Sequence, residues 1–258
     1  MIKAVFFDVD GTLLSHKSKC IPASARNALR RLRENGIKII MATGRCANEL
    51  ELLPVNDIAF DGYVIMNGQI CLDSSRQLIY SDPFPPEAAQ ALIRLFNTRA
   101  FPMTLIEAGR IYINFVNDIA LQTETEISTP VPPVGVPDGS PVFQSSIFVT
   151  QEQEAGLVLP YLPSCCRLAR WHRNGTDVLS ATGGKVKGIR YFQTALGLDT
   201  GEIMAFGDAE NDAGMLEYAG TGVAMGNGDD IAKRAADYVT ASVDDDGVLK
   251  ALEHLGLI

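Results

Sequence analysis

The 258-residue sequence predicts an α/β fold, a parallel sheet interrupted in mid-chain by a smaller α+β unit. Three observations predict it. Short continuous apolar runs at 4–7 (AVFF), 37–41 (IKIIM), 63–66 (YVIM) and 203–206 (IMAF) have the composition of strands buried on both faces. Stretches with apolar residues at helical spacing separate these runs, and that rhythm implies right-handed crossovers and a parallel sheet. Between about residues 83 and 182 the alternation fails, and from Lys185 it resumes.

The elements follow in order. After the first strand and a polar loop, residues 22–35 carry Ala25, Leu29 and Leu32 at helical spacing, with Pro22 suited to a first turn and Gly36 to a stop. A second strand at 37–41 leads into a short helix at 45–53, and a third strand covers 63–66. SDPFPPE, with three prolines, reads as a linker. Beyond it, 86–97 is predicted helical, and MTLIEAGRIYINF a hairpin turning at Ala108-Gly109. The Pro- and Gly-rich stretch 130–141 is a loop, with strands predicted at 145–150 and 167–171. The core then resumes with a helix to about Leu196, the strand 203–206, a helix at 209–218 and a strand at 222–225. These boundaries give a core of residues 1–82 and 183–258, carrying an inserted domain of residues 83–182.

Hydrophobic residues make up 47% of the chain, charged residues 21%, and the mean hydropathy is +0.09, which excludes a disordered chain. With 22 Lys+Arg against 31 Asp+Glu the net charge is −9, which argues against non-specific nucleic-acid binding and against docking on an anionic membrane. An anionic substrate would therefore need a local positive charge. The apolar run at the N-terminus is too short for a signal peptide, and no stretch approaches the roughly 18 apolar residues of a membrane span, so a cytoplasmic protein is expected. Five scattered cysteines (Cys20, Cys46, Cys71, Cys165, Cys166) lack metal-site spacing and read as reduced packing residues.

Chemistry concentrates at strand ends. Asp8-Val9-Asp10-Gly11-Thr12 directly follows the first strand, where residues i and i+2 point the same way and open α/β sheets place their ligands. Two such carboxylates repel unless a cation intervenes, and Mg²⁺ is the natural one. An EF-hand loop starting at Asp8 fails, since Leu13 and Lys19 occupy the positions that require Gly and Glu. Ala42-Thr43-Gly44-Arg45 ends the second strand, where a hydroxyl and backbone N–H groups make an anion seat. Gly207-Asp208-Ala209-Glu210-Asn211-Asp212 brings two further carboxylates to the same sheet edge, Asp208 being the better direct ligand. Lys187 and Lys185 lie where the core resumes, placed to offset that charge. His16 is expected at the surface.

DVDGTLL, ATGR, KG and GDAEND, in this order, resemble the four motifs of the haloacid dehalogenase superfamily. The likeness is closest to its Cof-type branch, whose α/β cap is inserted between the second and third motifs, and within it to bacterial hexose-phosphate phosphatases. It extends to Asn67-Gly68, GVAMGNG and DDDGVLKAL, and thus over essentially the whole Rossmann-like core.

The resemblance implies roles residue by residue. Asp8 would be the nucleophile that forms an aspartyl-phosphate, and Asp10 the acid and then the base. Thr43 and the Gly44 N–H would hold phosphoryl oxygens, with Arg45 and Asn211 as further substrate-binding groups. Lys187, preferred to Lys185 because Gly188 follows it, would neutralise developing charge. Mg²⁺ would be held by an Asp8 oxygen, the Asp10 carbonyl and Asp208, with Asp212 ordering the lysine and metal-bound water. Apart from the resemblance, Arg170, Trp171, His172 and Arg173 in the insert, and Arg45, are open to two readings, substrate recognition or a structural role. The function implied is a Mg²⁺-dependent phosphatase of small phosphorylated metabolites, hexose phosphates foremost, acting as a monomer without nucleic-acid or membrane partners. A phosphosugar mutase on the same scaffold and a non-catalytic phosphosugar-binding or signalling module are the alternatives.

Overall fold

A computed structural model describes residues 1–55, 57–127 and 129–258. In chain order the elements begin with β1 (Ala4–Phe7), α1 (Ala23–Glu34), β2 (Lys38–Ala42), α2 (Ala47–Leu50), β3 (Gly62–Ile65), β4 (Ile70–Asp73) and β5 (Leu78–Ser81). There follow α3 (Pro86–Thr98), β6 (Thr104–Glu107), β7 (Ile111–Ile113), α4 (Asp118–Glu126), β8 (Val142–Ile147), α5 (Gln151–Leu157), β9 (Cys166–His172) and β10 (Gly175–Ser180). The last third holds α6 (Lys185–Leu196), β11 (Ile203–Gly207), α7 (Ala213–Tyr218), β12 (Thr221–Ala224), α8 (Asp230–Ala235), β13 (Tyr238–Val239) and α9 (Gly247–His254). Among the described residues, no helix is long and apolar enough to cross a membrane.

The chain divides into two compact units. The first comprises Met1–Arg45, Glu49–Ser81 and Gly184–Ile258. Its eight-stranded sheet runs in the order β13-β12-β11-β1-β2-β3-β4-β5, parallel from β13 to β3 and antiparallel at β4 and β5. The β1 strand is buried throughout, which explains its unbroken AVFF run. On one face, Phe6, Ile40 and Val64 pack with Ile189 and Phe192 of α6 and with Met215 of α7. α1 buries Ala25, Ala28, Leu29 and Leu32 and stops before Gly36, whose φ of +76° ends the helix cheaply.

The second unit comprises Cys46–Asn48 and Asp82–Gly183. Its five-stranded antiparallel sheet, β7-β6-β8-β10-β9, shares a core of Leu92 and Phe96 from α3 with Met103, Leu105, Ile147 and Val178.

Departures from the sequence reading have local causes. The helix predicted at 45–53 is confined to four residues, and the helix at 209–218 begins as a single 3-10 turn before α7. β4 and β5, the antiparallel hairpin that extends the core sheet, lie where no element was predicted. In the second unit α4, α5 and β10 went unread. The buried face of α4 includes Thr123 and Glu124, and α5 buries nothing, so neither shows an apolar stripe. The start of α5 is fixed instead by Gln153, whose Oε1 accepts the Thr150 N–H at 3.0 Å.

Candidate active site

β1 lies between β2 and β11, the point where strand order reverses and where α/β sheets bind ligands. The Asp8 N–H donates to the Phe206 carbonyl at 3.0 Å, setting the Asp8 carboxylate beside the end of β11. Beyond Asp8 the chain closes a tight loop, with Leu14 N–H on the Val9 carbonyl (2.7 Å) and Gly11 N–H on the Leu14 carbonyl (2.9 Å). Gly11 is required there twice over. Its φ is +85°, and a Cβ would stand 2.1 Å from Asp208 Oδ2. The Asn227 amide donates to the Gly11 carbonyl at 2.8 Å and Thr12 Oγ1 to Asp208 Oδ1 at 3.3 Å, so the loop is tied to the third acidic segment.

The lysine brought to this point is Lys185, not Lys187. Lys185 is buried, and its Nζ donates to Asp8 Oδ1 at 2.5 Å and to Asp212 Oδ1 at 2.6 Å. It opens α6, immediately after Gly184, and helix residues two apart do not share a face, so Lys187 is turned elsewhere and half-exposed. The expectation for Lys187 is corrected on that ground. Gly68 allows the approach: a Cβ there would meet the Gly184 carbonyl at 2.3 Å. Asp212 is fully committed, since its second oxygen accepts from the N–H groups of Asp208 (2.9 Å) and Ala209 (3.0 Å).

Asp8, Asp208 and Asp212 each present an oxygen within 4.8 Å of the others. Burial lowers the tendency of Lys185 to hold its proton, but the Asp212 and Asp8 carboxylates outweigh that and keep it an ammonium. One ammonium does not balance three acids. Burial pushes Asp8 well above the usual carboxylate range despite Lys185, and Asp212, Asp208 and Asp10 add to the rise. Burial, then the Asp212 charge, pushes Asp208 up to about 7. Hard oxygen donors carrying excess negative charge fit a divalent cation such as Mg²⁺.

Asp10 is not part of the cluster of oxygens that Asp8, Asp208 and Asp212 form. The Arg45 guanidinium grips Asp10 with Nε on Oδ2 and Nη2 on Oδ1, both at 2.8 Å. Burial would raise the Asp10 carboxyl, but the hydrogen bonds and charge of Arg45 prevail, with smaller help from His16 and Lys185, and hold it low. Arg45 is thus turned to a carboxylate, and Glu49 lies 3.8 Å from its Nη1. At the end of β2, Thr43 is buried and its Oγ1 accepts the Arg45 N–H at 3.2 Å. The Asn211 amide, expected on substrate, donates to Asn67 Oδ1 at 2.9 Å. Asn67, which the sequence reading noted in the Asn-Gly pair after the third strand but gave no role, is thus a site residue. Thr12 is a second, with no signal beyond its place in the loop.

The basic and aromatic candidates of the insert are engaged within their own unit. Arg170 donates to the carbonyls of Val149, His172 and Arg173 and pairs with Glu154, which is the bonding of a structural staple. Trp171 Nε1 donates to Asp177 Oδ1 at 2.9 Å, while His172 and Arg173 both meet Glu126.

Known proteins share this sequence and fold. A model of the haloacid dehalogenase-like hydrolases matches residues 5–252. YkrA of Bacillus subtilis (strain 168) is 33% identical over 260 residues, covering 99% of this chain and 98% of its own length. The structure of BT1666 from Bacteroides thetaiotaomicron, one of the phosphatases of the haloalkanoate (HAD) superfamily, superposes with a TM-score of 0.90 at 34% identity, covering 100% of this chain and 96% of that one. BT4131, a sugar phosphatase of HAD subclass IIB, superposes with a TM-score of 0.86 at 35% identity, covering 99% of this chain and 100% of that one. Motif order, sheet topology and whole-chain likeness agree: the chain belongs to the haloacid dehalogenase-like hydrolases and is a phosphatase of that superfamily.

Proposed function

We propose that the protein is a Mg²⁺-dependent phosphomonoesterase of small phosphorylated metabolites, hexose phosphates foremost, working through an aspartyl-phosphate on Asp8. The observation that carries this reading is the buried cluster of Asp8, Asp208 and Asp212 around Lys185 at the ends of β1 and β11. The likeness to a subclass IIB sugar phosphatase supports the substrate class.

Asp8 attacks the substrate phosphorus, and the bond from phosphorus to the ester oxygen breaks. Asp10, which must first take up a proton as Arg45 releases it, gives that proton to the ester oxygen, then takes one from a water that attacks the aspartyl-phosphate and frees Asp8 and inorganic phosphate. Because Asp10 begins in the grip of Arg45, the substrate phosphoryl group must draw the guanidinium away or share it before Asp10 can act. Lys185 offsets negative charge on Asp8 and on the phosphoryl oxygens, and Thr43 with the Gly44 N–H seats those oxygens. Mg²⁺ would be held by Asp8, the main-chain carbonyl of Asp10 and Asp208, and would supply electrostatic stabilisation of the phosphoryl charge. Asp212, with both oxygens engaged, orients Lys185 and the Asp208 backbone.

The test is phosphate release from a panel of hexose phosphates with Mg²⁺ and with EDTA. Release that needs Mg²⁺ is expected. Isomerised sugar phosphate without free phosphate would establish a mutase, and no reaction with any ester would sink the reading.

A further inference from the structure

Between β3 and β4 the chain makes a turn whose three residues, Met66, Asn67 and Gly68, all have positive φ (+49°, +51° and +89°). Left-handed backbone is costly for any residue but glycine, and such strain persists where the surroundings impose it, often at functional sites. Here the surroundings are three separate parts of the catalytic apparatus. The Met66 N–H donates to the Arg45 carbonyl at 3.0 Å and the Asn67 N–H to the Thr43 carbonyl at 3.1 Å, so the turn clamps the phosphate loop on both sides of Gly44. The Asn67 amide packs on Gly44 itself: a Cβ on that glycine would lie 3.1 Å from Asn67 Nδ2. Asn67 Oδ1 accepts from Asn211, and Gly68 abuts the Gly184 carbonyl and the Lys185 backbone.

We propose that Asn67 is a positioning residue that sets the Thr43–Gly44 anion seat against Asn211 and Lys185, and so governs affinity for the phosphoryl group. The inference rests on the phosphatase reading above and assigns it a residue outside the four motifs. A glycine at 67 would make the turn at lower cost. An asparagine there, buried to 3% exposure, spends that cost on an amide placed between two phosphoryl-site segments.

The test separates backbone from amide. Asn67→Gly keeps the turn and removes the side chain; Asn211→Ala removes the partner without touching the turn. We expect each to weaken inorganic phosphate binding, read by calorimetry, and to raise KM for a phosphate ester by roughly tenfold, the scale of one lost hydrogen bond in a charged site. We expect kcat to fall less, the unfolding temperature to move little, and the loss in the double variant to fall short of the product of the two single losses, because the Asn67–Asn211 contact is lost in all three. Asn67→Asp should be worse than Asn67→Gly, since it sets a negative charge beside the phosphoryl seat. Phosphate affinity and KM within twofold of wild type in Asn67→Gly, or losses that multiply in the double variant, would overturn the proposal. A wild-type chain that hydrolyses no ester yet binds phosphate, more weakly in Asn67→Gly, would overturn the phosphatase reading and leave this one standing.

Discussion

The Lys185 ammonium sits between two carboxylates of distant chain segments, 2.5 Å from Asp8 Oδ1 and 2.6 Å from Asp212 Oδ1, with no solvent exposure. Lys185→Met leaves two buried acids facing each other uncompensated. Such a loss costs about 3–5 kcal/mol of stability. It should also lower kcat by roughly a hundredfold or more, the scale of one lost preorganised charge contact. Lys187→Met should stay within about threefold of wild type. Thermal unfolding and steady-state kinetics on the two variants check both expectations.

The same crowding predicts how stability responds to pH. Asp208 has its carboxyl raised to about 7 by burial and by Asp212, and Asp8 is raised as well. A carboxyl whose native pKa exceeds its unfolded value holds its proton more tightly in the folded chain. The metal-free protein should therefore lose stability as pH rises from about 4 through about 7. Mg²⁺ should restore it, and the rise in melting temperature on adding Mg²⁺ should be larger at pH 8 than at pH 5. Equal shifts at both pH values would contradict the charge assignment.

Arg45 holds Asp10 ionised through two hydrogen bonds. Removing it leaves burial opposed only by the smaller pulls of His16 and Lys185, so in Arg45→Ala the Asp10 carboxyl moves up. The limb of the pH profile of kcat/KM that reports Asp10 should shift to higher pH. Profiles of wild type and variant between pH 3 and 9, overlaid, show whether it does.

Gly11 admits no side chain. A Cβ at this position would meet Asp208 at 2.1 Å, and the left-handed φ adds strain. Gly11→Ala should lower phosphate-ester turnover by roughly a hundredfold, because displacing Asp8 or Asp208 misaligns the reacting groups. Steady-state assay at saturating Mg²⁺ measures the loss.

Much of the core was legible because its signals are local and strong. Doubly buried strands such as AVFF and IMAF read directly as apolar runs, and the acids that follow them sit at strand ends by necessity. The choice between Lys185 and Lys187 was not legible in that way. It turns on which residue opens α6, a boundary decided by the Gly184 turn and its close packing against Gly68. The Asp10–Arg45 pair escaped for a similar reason: strand alternation ends at Phe7, and beyond it the loop, not the pleat, aims the side chain. Arg170 was open to either a ligand-binding or a structural reading; its Nη groups are taken by three carbonyls and Glu154, partners contributed by segments no local pattern links.

The measurement that bears most directly on the mechanism is the site of phosphorylation. The protein is mixed with a hexose phosphate and Mg²⁺, quenched in acid within one turnover, digested, and mapped by mass spectrometry. A hydroxylamine-sensitive phosphoryl group on Asp8, absent from Asp8→Asn along with phosphate release, is the predicted result. Phosphate released by Asp8→Asn at the wild-type rate, or a phosphoryl group carried on any other residue, would contradict it.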